Sequence, residues 1–158
     1  MRRMLSIAAL LFLLSASACG KVTDVTDYLS LPFSSEVVLK VDSSEYLLKV
    51  EKGGADLVSV TVVLPEALEG LSVTLGEGNA VSYHGAYCSD GMPCTVAGLI
   101  YAAFDTRNVL SSASSGDTSE VRFATPLGEG KLTFDTFSAV PLSLETEGVY
   151  MEFKDFKR

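Results

Sequence analysis

Three cysteines and one histidine are the side chains of this 158-residue sequence best suited to nucleophilic, redox or soft-metal chemistry, and their placement restricts what they can do. Cys19 stands alone near the N-terminus, whereas Cys88 and Cys94 lie six positions apart in Tyr87-Cys88-Ser89-Asp90-Gly91-Met92-Pro93-Cys94, a loop by its Gly, Pro, Ser and Asp content. A zinc site on that pair would need two further His or Cys ligands, and His84 is the other candidate. His84 falls at a strand end beside Gly85, and no Ser or Cys occupies a G-x-S-x-G elbow, so an acyl-transfer triad has no starting point. Glu66, Glu69 and Glu77 sit in turns without a D-x-D-x-D-G calcium loop. Gly76-Glu77-Gly78 reads as a hairpin turn, because a phosphate cradle needs a helix immediately after it. The residues propose no reaction, metal or cofactor, and a non-enzymatic protein is expected.

Cys19 has a different context. Arg2-Arg3, the apolar run Leu5 to Leu14 and the small residues Ser15-Ala16-Ser17-Ala18 form the layout of a secretory signal, too short to span a membrane as a helix. A cysteine directly after the small residues resembles the lipobox of bacterial lipoproteins, although Ala16 stands where Leu is usual. The resemblance implies that residues 1–18 are removed and that Cys19 becomes a diacylated N-terminus; the alternative is an ordinary signal cleaved after Ala18 that leaves a free thiol. Several acyl chains would hold the protein stably, where one would not. The expected location is extracytoplasmic, anchored by lipid to the bacterial cell membrane, or to the outer membrane if the host has one, since Gly20 rather than Asp follows the cysteine. In that compartment Cys88 and Cys94 are expected to form a disulfide that fixes where the next element starts.

Loss of Arg2 and Arg3 leaves 10 basic against 20 acidic residues, a formal charge of −10. Nucleic acid and anionic lipid both demand clustered Lys or Arg, so neither is an electrostatic partner. The organisation expected is a signal over 1–18, a tether over 19–32 and one β domain over 33–158. Val22, Val25 and Leu29 are spaced to dock one amphipathic turn of that tether on the domain.

The domain reads as consecutive antiparallel strands. Val37, Leu39 and Val41 alternate with polar residues, Asp42-Ser43-Ser44 reverses the chain, and Tyr46, Leu48 and Val50 alternate back. Val58, Val60, Val62 and Leu64 follow, then the bend Pro65 to Gly70, then Leu71, Val73 and Leu75, a Gly-rich turn, and Val81 with Tyr83. Strands this close cannot be joined by parallel crossovers. A helix is expected from Thr95 to Val109, with Val96, Leu99, Ile100, Ala103 and Phe104 on its apolar side, followed by a flexible loop over Ser111 to Thr118. Hairpins around Pro126 to Gly130 and Thr146 to Gly148 complete about nine strands.

This layout, carried by the hairpin series Glu36 to Tyr83, the bend LPEALEGLSV, the helix at Val96 to Phe104 and the run Pro141-Leu142-Ser143-Leu144, resembles the fold of the lipoprotein carrier LolA and its relatives, which include clostridial germination lipoproteins. It implies a mainly β (α+β) protein, a curved antiparallel sheet or incomplete barrel whose concave face is covered by a helix. It also implies an apolar ligand, a lipid acyl chain or a lipidated client, held between sheet and helix. Val58, Val60, Val62, Leu71, Val73 and Leu75 would be the walls, and Leu99, Ile100 and Phe104 the cover. The alternative is an anchored scaffold with a filled interior that docks an envelope or spore-cortex enzyme. A continuous pocket of roughly 300 Å3 or more would separate the two.

The lipobox reading is checked by mass spectrometry of the membrane fraction, where the first peptide should begin at Cys19 and carry diacylglyceryl mass, and Cys19→Ala should release the protein or leave it unprocessed. Recovery of wild-type protein in the aqueous phase with an unmodified Cys19 thiol would contradict it. In the same unreduced material Cys88 and Cys94 should resist alkylation.

Overall fold

The structure, a computed structural model, describes residues 25–54, 57–76, 78–88, 95–125 and 127–158. The signal segment, Cys19, Val22, Cys94 and the side chain of Cys88 lie outside the described residues. Eleven strands form one sheet in the order β6-β5-β4-β3-β2-β1-β11-β10-β9-β8-β7. They are β1 Phe33–Val41, β2 Ser44–Gly53, β3 Leu57–Leu64, β4 Ser72–Leu75, β5 Ala80–Tyr83, β6 Ala86–Cys88, β7 Val109–Ser115, β8 Thr118–Thr125, β9 Gly128–Asp135, β10 Pro141–Thr146 and β11 Val149–Lys157. Every pairing is antiparallel. The chain runs outward from β1 to one free edge at β6, crosses to the other free edge at β7, and returns inward until β11 pairs with β1.

Helix α1, Thr95–Ala103, lies on that crossover. It packs on β3 and β4 from one arm of the sheet and on β8 and β9 from the other. A flat sheet cannot offer both arms to one helix, so the sheet curves around α1 and remains open between β6 and β7, an incomplete barrel as expected.

The core follows from period 2. Val37 and Leu39 of β1, Leu48 and Val50 of β2, Val58 and Val60 of β3, Val121 and Phe123 of β8, and Leu132 and Phe134 of β9 all turn inward and are buried. Outward positions carry exposed ion pairs, Lys40 with Glu45 at 3.8 Å, Arg122 with Glu129 at 2.8 Å and Lys131 with Glu145 at 3.0 Å. These join neighbouring strands but add little stability in water. An aromatic cluster closes the interior below α1, with the Phe104 ring 4.6 Å from Phe33, 5.9 Å from Phe153 and 6.5 Å from Phe134.

The packed domain begins before residue 33. Val25–Tyr28 is a 3-10 turn, and Val25 and Leu29 are buried, so that part of the segment docks as its spacing predicts. The buried Lys52 helps to hold it, its Nζ donating to the carbonyls of Ser30 at 3.0 Å and Gly54 at 2.6 Å.

Three expectations are corrected. The sheet has eleven strands rather than about nine, because His84 at φ 47° and Gly85 at φ 83° form a two-residue turn that adds β6 to β5. Ser111 to Thr118 is not a loop: β7 occupies Val109–Ser115, with Thr118 opening β8. An edge strand wetted on both faces has no need of alternating apolar residues. Its ladder to β8 and the hydroxyl chain Ser114, Ser119, Thr136, at 2.8 and 3.0 Å, hold it instead. The helix stops at Ala103 rather than Val109, since the Asp105 carboxylate accepts from the Arg107 N–H at 2.9 Å and caps a separate 3-10 turn, Thr106–Asn108.

Gly130 faces Phe123 across β8 and β9, and a Cβ there would meet the Phe123 ring at 2.5, 2.8 and 3.0 Å. The ring fills the space that a side chain would need. Gly130→Ala should therefore destabilise by about 1–3 kcal/mol through overpacking. Chemical denaturation should recover most of the loss in the double variant Gly130→Ala/Phe123→Leu relative to Phe123→Leu alone.

Candidate functional site

Beyond the helix, the inner face of the first arm is not filled. A groove of 270 Å3 lies between Leu39 and Val41 of β1, Tyr46 and Leu48 of β2, Val60 and Val62 of β3, and Leu71 and Val73 at β4, with Leu68 from the bend and Val96 from the first turn of α1 closing it. Register brings these side chains together: Leu39 faces Tyr46, Leu48 faces Val62, and Val60 faces Val73. Val41, Tyr46, Val62 and Leu71 are half-buried and Leu68 is exposed, so the groove opens to solvent at the end of the sheet where β3 turns into β4.

The rim is shaped by local rules. Opposite Leu47 and Leu48, β3 carries one extra residue, a bulge that bends the strand just past Val62. The chain then reverses through the 3-10 turn Glu66–Leu68, and Gly70 at φ 82° lets it return to β4. The reversal is held by Gly70 N–H donating to Val62 O at 2.9 Å, Val62 N–H to Leu71 O at 2.8 Å, and the Tyr83 hydroxyl to Ala67 O at 2.6 Å. Leu68 is thereby fixed over the groove instead of sweeping through solvent.

Of the nine residues expected to hold a ligand, four line the groove: Val60, Val62, Leu71 and Val73. Val58 and Leu75 are buried away from it, and Leu99, Ile100 and Phe104 are buried in the core, so the end of the helix near Val96 closes the space and the later turns do not. Leu39, Val41, Tyr46 and Leu48 belong to the first hairpin, whose alternation marked them as inward. Val96 was marked by its helical spacing as part of the apolar side of the helix but not as a wall of the groove, and Leu68, in the bend, carried no periodic signal.

No charged side chain lines the groove. Displaced titrations occur elsewhere. The Arg107 guanidinium, bonded to Asp105 at 2.9 and 3.0 Å, holds that carboxyl below its usual range, and Glu145 raises Lys131 through its hydrogen bond. Neither pair borders the groove. Among the described residues no three His, Cys, Asp or Glu side chains are grouped to hold a metal, and His84 stacks edge-on against Tyr83 at 4.2 Å in its exposed turn. The groove can exclude water and accept apolar matter, and the Tyr46 hydroxyl is the one polar side-chain group among its lining residues.

No protein-family model and no curated protein matches this chain. Solved structures do. An uncharacterized conserved protein from Thermus thermophilus superposes at TM-score 0.53 with 14% identity, covering 87% of this chain and 85% of its own. One chain of the complex between the CwlD amidase from Clostridioides difficile and the GerS lipoprotein superposes at 0.50 with 18% identity, over 84% and 89%. The LolA superfamily protein NE2245 from Nitrosomonas europaea gives 0.48 with 12% identity, over 86% and 91%. The first two of these structures share the fold of this chain.

Groove and core should respond differently to truncation. Phe104→Ala, in the aromatic cluster, should cost about 3–5 kcal/mol. Val62→Ser, on the half-open rim, should cost about 1 kcal/mol or less. Urea midpoints of the two variants measure the difference, and similar losses would place Val62 in the core.

Proposed function

We propose that this protein is an extracytoplasmic lipoprotein, attached to the cell membrane through Cys19, whose groove binds a single apolar chain: the acyl chain of a lipid or of a lipidated client. The observation that supports this most strongly is the lining, ten side chains of which none is charged and several stay open to solvent beside a core that is otherwise closed. Exposed apolar area of this kind on a folded domain usually serves binding. At 270 Å3 the groove falls short of the roughly 300 Å3 that separates a ligand pocket from a filled interior, so this reading rests on the lining and not on the volume, and it is limited to part of one alkyl chain.

A second reading has its own support. The complex of the CwlD amidase with the GerS lipoprotein has a chain of this fold, which favours docking of an envelope enzyme, with the same groove receiving an apolar side chain of the partner. The acidic surface would then select the partner's charge.

Titration of residues 20–158 with a fluorescent fatty acid separates the two. Saturable binding is expected, with Val62→Asp and Leu71→Asp weakening it by tenfold or more while the melting temperature stays close to wild type. Absence of binding by wild-type protein at micromolar probe would remove the acyl-chain reading and leave the docking one.

A further inference from the structure

We infer that the end of the sheet at which the chain enters the domain rests on the lipid bilayer, with Phe137 entering the interfacial region. This rests on the lipid anchor at Cys19 proposed above and adds an orientation and an insertion residue to it.

Strand register gathers several elements at that end. Ser34 at the start of β1 faces Lys157, Phe33 faces Lys52, Thr118 faces Asp135, and Pro141 faces Phe134. The turns β7–β8 and β9–β10 therefore lie at the same end as the start of β1. Arg158 joins them to the entering chain, its guanidinium stacked 4.6 Å over the Tyr28 ring while Nη2 donates to Ala139 O at 2.5 Å. Cys19 precedes Val25 by six residues, a reach of at most about 20 Å. A lipid on Cys19 holds this end, and not the groove end, against the membrane.

Phe137 is the most exposed large apolar side chain described, at 80%. Its turn is nonetheless rigidly built. The Asp135 Oδ1 accepts from Phe137 N–H at 3.1 Å, Ser138 N–H at 2.8 Å and Ser138 Oγ at 2.7 Å. Asp135 N–H donates to Val140 O, and Thr136 N–H to Asp117 O in the neighbouring turn, both at 2.9 Å. A ring displayed by a fixed turn can enter an apolar medium without the ordering cost of a loose loop. Leu31 and Leu57, 40% and 46% exposed, add apolar area at the same end.

Charge does not drive the contact. Lys157 and Arg158 are offset there by Asp27, Asp117 and Asp135. Insertion of one ring is weak by itself, and the anchor supplies the effective concentration that makes it persist.

The sequence contains no Trp, so Phe137→Trp places a unique indole at the site. The full chain, purified from membranes and reconstituted into phosphatidylcholine vesicles with or without bromine on the upper acyl carbons, is compared with Tyr150→Trp. Tyr150 faces Lys40 and Glu145 at the opposite end of β11. The indole of Phe137→Trp should shift to the blue and lose roughly half its emission to bromine, the response of a ring about 5–10 Å below the surface, with little dependence on salt, while that of Tyr150→Trp is unaffected. Equal quenching in both variants, or none in Phe137→Trp protein whose intact mass shows the lipid, overturns the orientation alone. A blue shift of Phe137→Trp that grows with protein concentration without vesicles assigns Phe137 to a second copy and also overturns it. An intact mass without lipid removes the anchor, and the orientation with it.

Discussion

One short helix has to serve two arms of a wide sheet, and the rest of the architecture follows from that mismatch. Nine residues of α1 extend about 14 Å, whereas eleven strands about 4.8 Å apart span close to roughly 50 Å along their arc. The sheet curls until β3, β4, β8 and β9 all reach the helix. Leu99, Ile100 and Phe104 are used up in making that joint watertight. Among the described helix residues Val96 is the one that borders the strip of β1 to β4 left unshielded, and that strip is the groove.

The parts of this arrangement that were legible in the sequence are those set by period 2 and by turn chemistry. The inward faces of β1 to β4, the bend after Pro65 and the antiparallel order all follow from alternation and from connections too short for a crossover. Two kinds of feature were not legible. β7 is built from Ser and Ala because an edge strand buries little, so its composition is that of a loop. Whether Leu99 and Phe104 cover a ligand or fill a core depends on how closely the second arm approaches them, and that distance is fixed by β8 and β9, far away in the chain. Phe104 touches Phe33, Phe134 and Phe153, three partners that no local pattern connects.

The groove and the Phe137 turn sit at opposite ends of the sheet. The groove opens beside the β3–β4 bend, while the entering chain and the Phe137 turn lie at the start of β1. A protein held at the second end would present the first to the surrounding space, where an acyl chain or a partner could reach it.

The central claim, that an apolar chain enters a preformed groove beside a closed core, is met most directly by methyl-resolved NMR of residues 20–158 titrated with decanoate. Saturable shifts should appear at the methyls of Val60, Val62, Leu68, Leu71, Val73 and Val96, while those of Val58, Leu75, Leu99 and Ile100 stay nearly still. Shifts spread evenly over the core methyls, or none at the groove methyls at millimolar decanoate, would contradict it.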